Sequence, residues 1–169
     1  MPVAWGCAGP LIEADGGFRH ARHGYWLARP AAGVPAWERF EVEGAFLAYR
    51  RPGPIWMSLQ SRCGRPTARP QVMARHLLLG IPHYTVRQNG PAEVGGVPGW
   101  TQIFDAAQGE SVIRVKTVTA VATRCAFDFI LSARAGFEGA EPSFDAWWGS
   151  LRIDPEVASE PEQLLEEVP

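Results

Sequence analysis

Three cysteines, four histidines and a group of six arginines are the side chains with most chemistry to offer in this 169-residue chain. Cys63 and Cys125 each stand on the apolar face of a strand-like stretch, one at its end and the other at its start. In an oxidising compartment such a pair closes a disulfide, and the long loop between them would make the entropic gain several kcal/mol, roughly. In a reducing one, two buried thiols act as small hydrophobes. A thiol nucleophile needs a neighbouring base and an accessible, electropositive setting, and no histidine stands close in sequence to either cysteine.

His20 and His23 are flanked by Arg19 and Arg22, whose charge disfavours a divalent cation. His76 is expected on the apolar stripe of a helix and His83 at a strand start, neither with a role. The carboxylates form no dyad. Glu38, Glu41 and Glu43 lie in one strand region, where Glu41 and Glu43 share the face opposite Phe40 and Val42 as on a half-exposed strand, and Asp105 and Asp128 are single acids in separate strands. Asp128 alternates with Phe127 and Phe129, so it is expected to point away from the main core. General acid–base work needs two groups in divergent environments. No phosphate-binding loop, nucleophile elbow or zinc-protease helix is spelled out. Gly95 and Gly96 lie between strands, where a tight hairpin explains them. No catalytic residue, metal site or cofactor is therefore expected, and the chain reads as a non-enzyme.

Arg50, Arg51, Arg62, Arg65, Arg69 and Arg75 bracket a turn and a helix entrance. They are either a solvated loop face or a contact for an acidic partner or anionic lipid headgroups, which reward each nearby cation by about 1 kcal/mol.

The elements that must position these residues are mostly strands. Tyr25–Ala28 opens the series, followed by 37–42 and 45–49. Ile55–Cys63 alternates, with Ile55, Met57, Leu59, Ser61 and Cys63 on one side. A first helix runs from Pro70 to about Leu79, with Val72, Met73, His76, Leu77 and Leu79 at helical spacing and Gly80 and Pro82 as its stop. Strands follow near 83–88, 99–105, 111–123 and 125–134, with turn signals at Asn89-Gly90-Pro91, Gly95-Gly96 and Gln108-Gly109. A second helix is expected over 142–151, carrying Phe144, Trp147, Trp148 and Leu151. Long antiparallel hairpins with two inserted helices make an α+β domain with one twisted antiparallel sheet, not alternating βαβ units. Residues 1–23 read as an irregular leader, 24–153 as the domain, and 154–169 as an acidic tail.

Composition agrees with a globular protein: 46% hydrophobic and 11% aromatic residues, with a net charge of −2. Residues 1–153 carry a small positive excess, too diffuse for a nucleic-acid footprint. No apolar run is long enough for a transmembrane helix.

From Gly24 to Ile153, the order of elements resembles the Mog1/PsbP-like α/β/α fold. A Gly-Tyr-x-Leu-x-x-Pro strand (24–30) precedes a Trp-containing strand, and the stretch 55–81 gives a strand followed by a helix. A Gly99-Trp100-Thr101 hairpin then leads into a Val/Thr strand, a Phe-rich strand and a closing Phe/Trp helix. Proteins of that fold are mostly accessory and interaction proteins, some of them bacterial envelope lipoproteins. The resemblance implies a binding role, with another envelope protein or an anionic membrane surface as partner, and no catalytic residues.

A second, local resemblance is to the end of a bacterial lipoprotein signal, at Trp5-Gly6-Cys7-Ala8-Gly9. Such a signal needs a basic start and an apolar stretch of 7–15 residues before the cysteine, so this reading expects a start upstream of Met1. An ordinary cysteine in a loose N-terminus is the alternative. A lipidated Cys7 would tether the domain to the periplasmic side of the cell envelope; without it the expected location is cytoplasmic. The expected function is a non-catalytic envelope accessory protein. The alternative, argued from a surplus of Trp, is a carrier or sensor of a small apolar ligand or lipid, which calls for an apolar cavity between sheet and helices.

Overall fold

The computed structural model describes residues 11–14, 16–20, 23–33, 35–64 and 68–154. Cys7, Arg65 and the acidic tail beyond Asp154 lie outside the described residues. The strands are β1 (Leu11–Ala14), β2 (Gly17–His20), β3 (Tyr25–Ala28), β4 (Glu38–Arg39), β5 (Leu47–Arg51), β6 (Ile55–Cys63), β7 (Tyr84–Val94), β8 (Val97–Gln108), β9 (Ser111–Val121), β10 (Cys125–Ala133) and β11 (Arg152–Ile153); the helices are α1 (Pro70–His76) and α2 (Phe137–Trp148).

The strands form two sheets rather than one. Seven strands pair antiparallel in the order β4-β5-β6-β10-β9-β8-β7, and four more in the order β1-β2-β3-β11. The single-sheet expectation is thus corrected. So is the irregular leader: residues 11–14 and 17–20 make a hairpin, with Glu13 opposite Phe18, that extends β3. These strands are only four residues long and meet at a Gly-containing turn, so they offered little alternation to read.

The chain path explains the layering. After β6 it leaves the middle of the large sheet, crosses one face as α1, and reaches the far edge at β7. It then returns strand by strand until β10 closes against β6. After β10 it crosses the opposite face as α2 and then pairs as β11 against β3. Ile103 packs into the larger core while its neighbour Phe104 packs into a smaller one, as alternate strand residues must.

The larger core lies between the two sheets and α2. Met57, Leu59, Val118, Phe127, Phe129 and Leu131 face it from the large sheet. Tyr25 meets Phe127 edge to face at 4.9 Å, and shares a 3.0 Å hydrogen bond with Ser61. Burial pushes the Tyr25 hydroxyl up to about 12, only partly offset by the Ser61 bond. On α2, Phe137, Ala140, Phe144 and Trp147 recur at three- and four-residue spacing and form the buried stripe. Trp147 donates through Nε1 to the Ala28 carbonyl at 3.1 Å, fixing α2 to the small sheet. The helix begins five residues before the expected position, so Pro142 lies inside it rather than at its start. Phe137 and Ala140 extend the apolar stripe across the first turns.

The chain's one lysine is part of this docking. Lys116 Nζ donates to Glu141 Oε1 at 2.7 Å and to Asp145 Oδ2 at 2.9 Å, tying β9 to α2.

β7 is an edge strand, so Pro91 costs it no ladder bond, and the strand runs straight through the Asn89-Gly90-Pro91 stretch that reads as a turn. The real turn is at Gly95-Gly96, both with positive φ, between the paired Val94 and Val97. A Cβ on Gly95 would meet the Leu151 carbonyl oxygen at 2.8 Å.

Candidate functional site

The face of the large sheet under α1 has a different character from the core. At its polar end Asp128 is buried, accepting from Arg62 Nη2 at 2.8 Å and from Thr119 Oγ1 at 2.8 Å. Asp128 does point away from the main core, as the alternation requires, yet it is covered rather than solvated. Beside it Gln102, also buried, donates to the Ala74 carbonyl at 3.0 Å and fastens α1 to the sheet. Gln102, Thr117 and Thr119 give no local signal of burial, because polar strand residues normally mark a solvent face.

Helix α1 itself sits in a different phase from the one its spacing suggests. Ala74 is its buried residue and Leu78, in the turn that follows, is buried too, whereas Val72, His76 and Leu79 are exposed. Three consecutive leucines make several phases equally apolar, and the small Ala74 decides it by allowing close approach to the sheet. The two helices cover opposite faces of the large sheet, as an α/β/α arrangement requires.

Beyond the C-terminal turn of α1, a cavity of about 370 Å³ opens between the segment Leu77–Pro82 and the sheet. Among the described residues its walls include Trp56, Leu77, Ile81, Phe104 and Val115, and no charged side chain. Thr117 lines it at the polar end; it is 2% exposed and its Oγ1 has no hydrogen-bond partner among the described residues. Next to its lining residues stand Tyr84, whose ring meets Phe104 edge-on at 6.1 Å, Val86, paired with Phe104 in the ladder, and Leu79, which precedes Gly80 and is 75% exposed. Two other clefts, of about 460 and 830 Å³, have charged walls that include Arg114 with Glu138 and Arg152 with Asp154.

The structure joins Cys63 and Cys125 as a disulfide between directly opposed residues of β6 and β10, Cα atoms 4.1 Å apart. Together with His23 they gather their donor atoms within 4.8 Å, but sulfurs bonded to each other are not thiolate ligands. The His20 and His23 rings lie 4.5 Å apart, tilted by 37°, with His20 Nδ1 accepting the His23 backbone N–H at 3.1 Å.

Arg50 and Arg51 are not brought together with Arg62. Arg50 and Arg51 lie at the β5–β6 hairpin, where Arg50 pairs with Glu38 and Arg51 stacks 4.2 Å from the Trp37 ring centre. Arg62 is seven positions along β6 from Ile55, roughly 23 Å away at about 3.3 Å per residue, and is engaged by Asp128. Arg69 and Arg75 are exposed on and beside α1.

Three solved structures share this architecture. The PsbP of the cyanobacterium Synechocystis sp. PCC 6803 (CyanoP) superposes with a TM-score of 0.61 at 14% identity, over 91% of this chain and 98% of that one. The fold is PsbP/Mog1-like. LpqN of Mycobacterium tuberculosis, described as involved in cell envelope biogenesis, matches with a TM-score of 0.58 at 15% identity, over 82% and 90% of the two chains. A putative regulator from Pseudomonas aeruginosa matches at 0.50 and 9% identity, over 75% and 97%. No protein-family model and no curated protein sequence matches. Among the described residues, no helix of this PsbP-like chain is long and apolar enough to cross a membrane.

Proposed function

We propose that this chain is a non-catalytic accessory protein of the bacterial cell envelope that recognises a partner protein through its α1-side face. The observation that carries this reading is the ready-formed apolar cavity together with the exposed Leu79, Tyr84 and Val86, which neighbour its lining residues along the chain or across the ladder. Contiguous exposed apolar surface beside a concavity marks a binding face. Arg69 and Arg75, exposed at the same helix, favour an acidic partner or a nearby anionic leaflet. The envelope location is supported by the likeness to LpqN and by the Cys63–Cys125 disulfide, which suits an oxidising compartment. The lipid anchor rests on the Cys7 context alone. Intact mass and peptide mapping of the protein from its native cells test it. The expected result is a diacylglyceryl group on Cys7 in the membrane fraction, and a cytosolic chain with unmodified Cys7 would contradict it.

The cavity also favours a second reading, a carrier or sensor of a small apolar ligand. At about 370 Å³ it falls within the usual size of a small-molecule pocket.

A further inference from the structure

Arg134, which has no acidic partner among the described residues, is hydrogen-bonded to a residue that lines the apolar cavity. The register of the large sheet explains how it arrives there. Trp56, Ser132, Val115 and Phe104 stand directly opposite one another in β6, β10, β9 and β8, forming one row of the cavity floor. Ile130 and Ser132 line the floor from β10, so the next residue on that side of the chain is Arg134, just past the strand's end. Ala133 pairs with Arg114, and extending that register sets Arg134 beside Ile113, another lining residue. The Arg134 side chain then reaches across β9, where its Nη2 donates to Gln108 Oε1 at 2.7 Å. Gln108, at the end of β8, lines the cavity as well. Two other arginines beside the floor are already engaged: Arg50, opposite Trp56, pairs with Glu38, and Arg87, next to Val86, pairs with Asp105. Arg134 is exposed, and its bond to a neutral amide leaves the charge of the guanidinium uncompensated and most of its five donors unused.

We infer that the cavity takes an aliphatic carboxylate: a single hydrocarbon chain against Leu77, Ile81, Phe104 and Val115, with its carboxylate held by Arg134. A guanidinium fork matches a carboxylate with two parallel hydrogen bonds. Because Arg134 is exposed, the anion stays in contact with water and escapes the cost of burying a charge. At about 30 Å³ per small group the space holds about a dozen non-hydrogen atoms, one chain of medium length rather than a two-chain phospholipid. This inference rests on the carrier reading.

The test is calorimetric titration of the full chain with octanoate and with 1-octanol, an uncharged probe of the same length. Wild type is expected to bind both, in competition for one site. Arg134→Gln is expected to weaken octanoate by about three- to tenfold, the span of a solvent-exposed charged hydrogen bond, and to leave octanol unchanged. Arg134→Lys, which keeps the charge, is expected to retain most of the octanoate affinity. If octanol binds but octanoate does not, or octanoate is indifferent to Arg134→Gln, or both probes weaken alike, or the two do not compete, the inference is overturned and the carrier reading stands. If octanol does not bind wild type, the carrier reading falls and the inference with it. Salt gives a check that needs no variant. Raising sodium chloride from about 20 to about 300 mM screens an exposed ion pair and should weaken octanoate but not octanol. Octanoate binding that ignores salt overturns the inference even should Arg134→Gln fail to fold.

Discussion

Asp105 accepts from Arg114 Nε at 2.9 Å and from Arg87 Nε at 2.8 Å, and these bonds, Arg114's foremost, hold its carboxyl below the usual carboxylate range against the opposing effect of burial. In the unfolded chain an Asp titrates near 4, roughly. A depressed native value therefore adds stability above about pH 4 that is lost as the pH falls through the lower native value. Urea midpoints measured from pH 7 to pH 2 should show this loss in wild type and a shallower one in Arg114→Ala; equal slopes would contradict the assignment. The sequence announces none of this. Asp105, Arg87 and Arg114 converge only because β7, β8 and β9 lie side by side. The same holds for Asp128, whose direction is legible from its aromatic neighbours but whose burial depends on the distant Arg62 and Thr119.

At the scale of elements, the long strands were readable because Val, Ile, Thr and Phe alternate over nine to twelve residues. Short or ambiguous pieces were not. The β1–β2 hairpin is too brief to show a period, the turn after α1 offers three leucines for one buried slot, and Pro142 draws the eye to a helix start that lies five residues earlier. Docking of α2 adds a polar contribution to its aromatic stripe. Lys116 is 8% exposed and meets two acids of the helix. Lys116→Ala should cost about 1–3 kcal/mol in chemical denaturation, with near-ultraviolet circular dichroism reporting loosened packing around Trp147. No change in either would mean that the ion pairs add nothing to the apolar contact.

For the whole molecule, the disulfide closes a sequence separation of 62 residues holding α1 and β7, β8 and β9, so every element that builds the cavity except β6 and β10 lies inside the loop. A loop of that length corresponds to about 4 kcal/mol of chain entropy. Two faces of one large sheet then divide the labour. One is sealed by α2 and the small sheet into a core; the other is only partly covered by α1 and keeps an apolar opening. The order of elements was enough to foresee the PsbP-like architecture. The second sheet and the division between faces were not, since both depend on which way each crossover passes.

That division is tested most directly by photo-crosslinking in the native cells, with a photoreactive residue substituted at Leu79, next to the cavity-lining Gly80, or at Val112, which is 60% exposed and points to the opposite side of β9 from Ile113. A discrete adduct from position 79 and none from position 112 is the predicted result. Equal labelling from both positions, or adducts from 112 alone, would contradict the claim that the α1-side face is where this protein meets its partner.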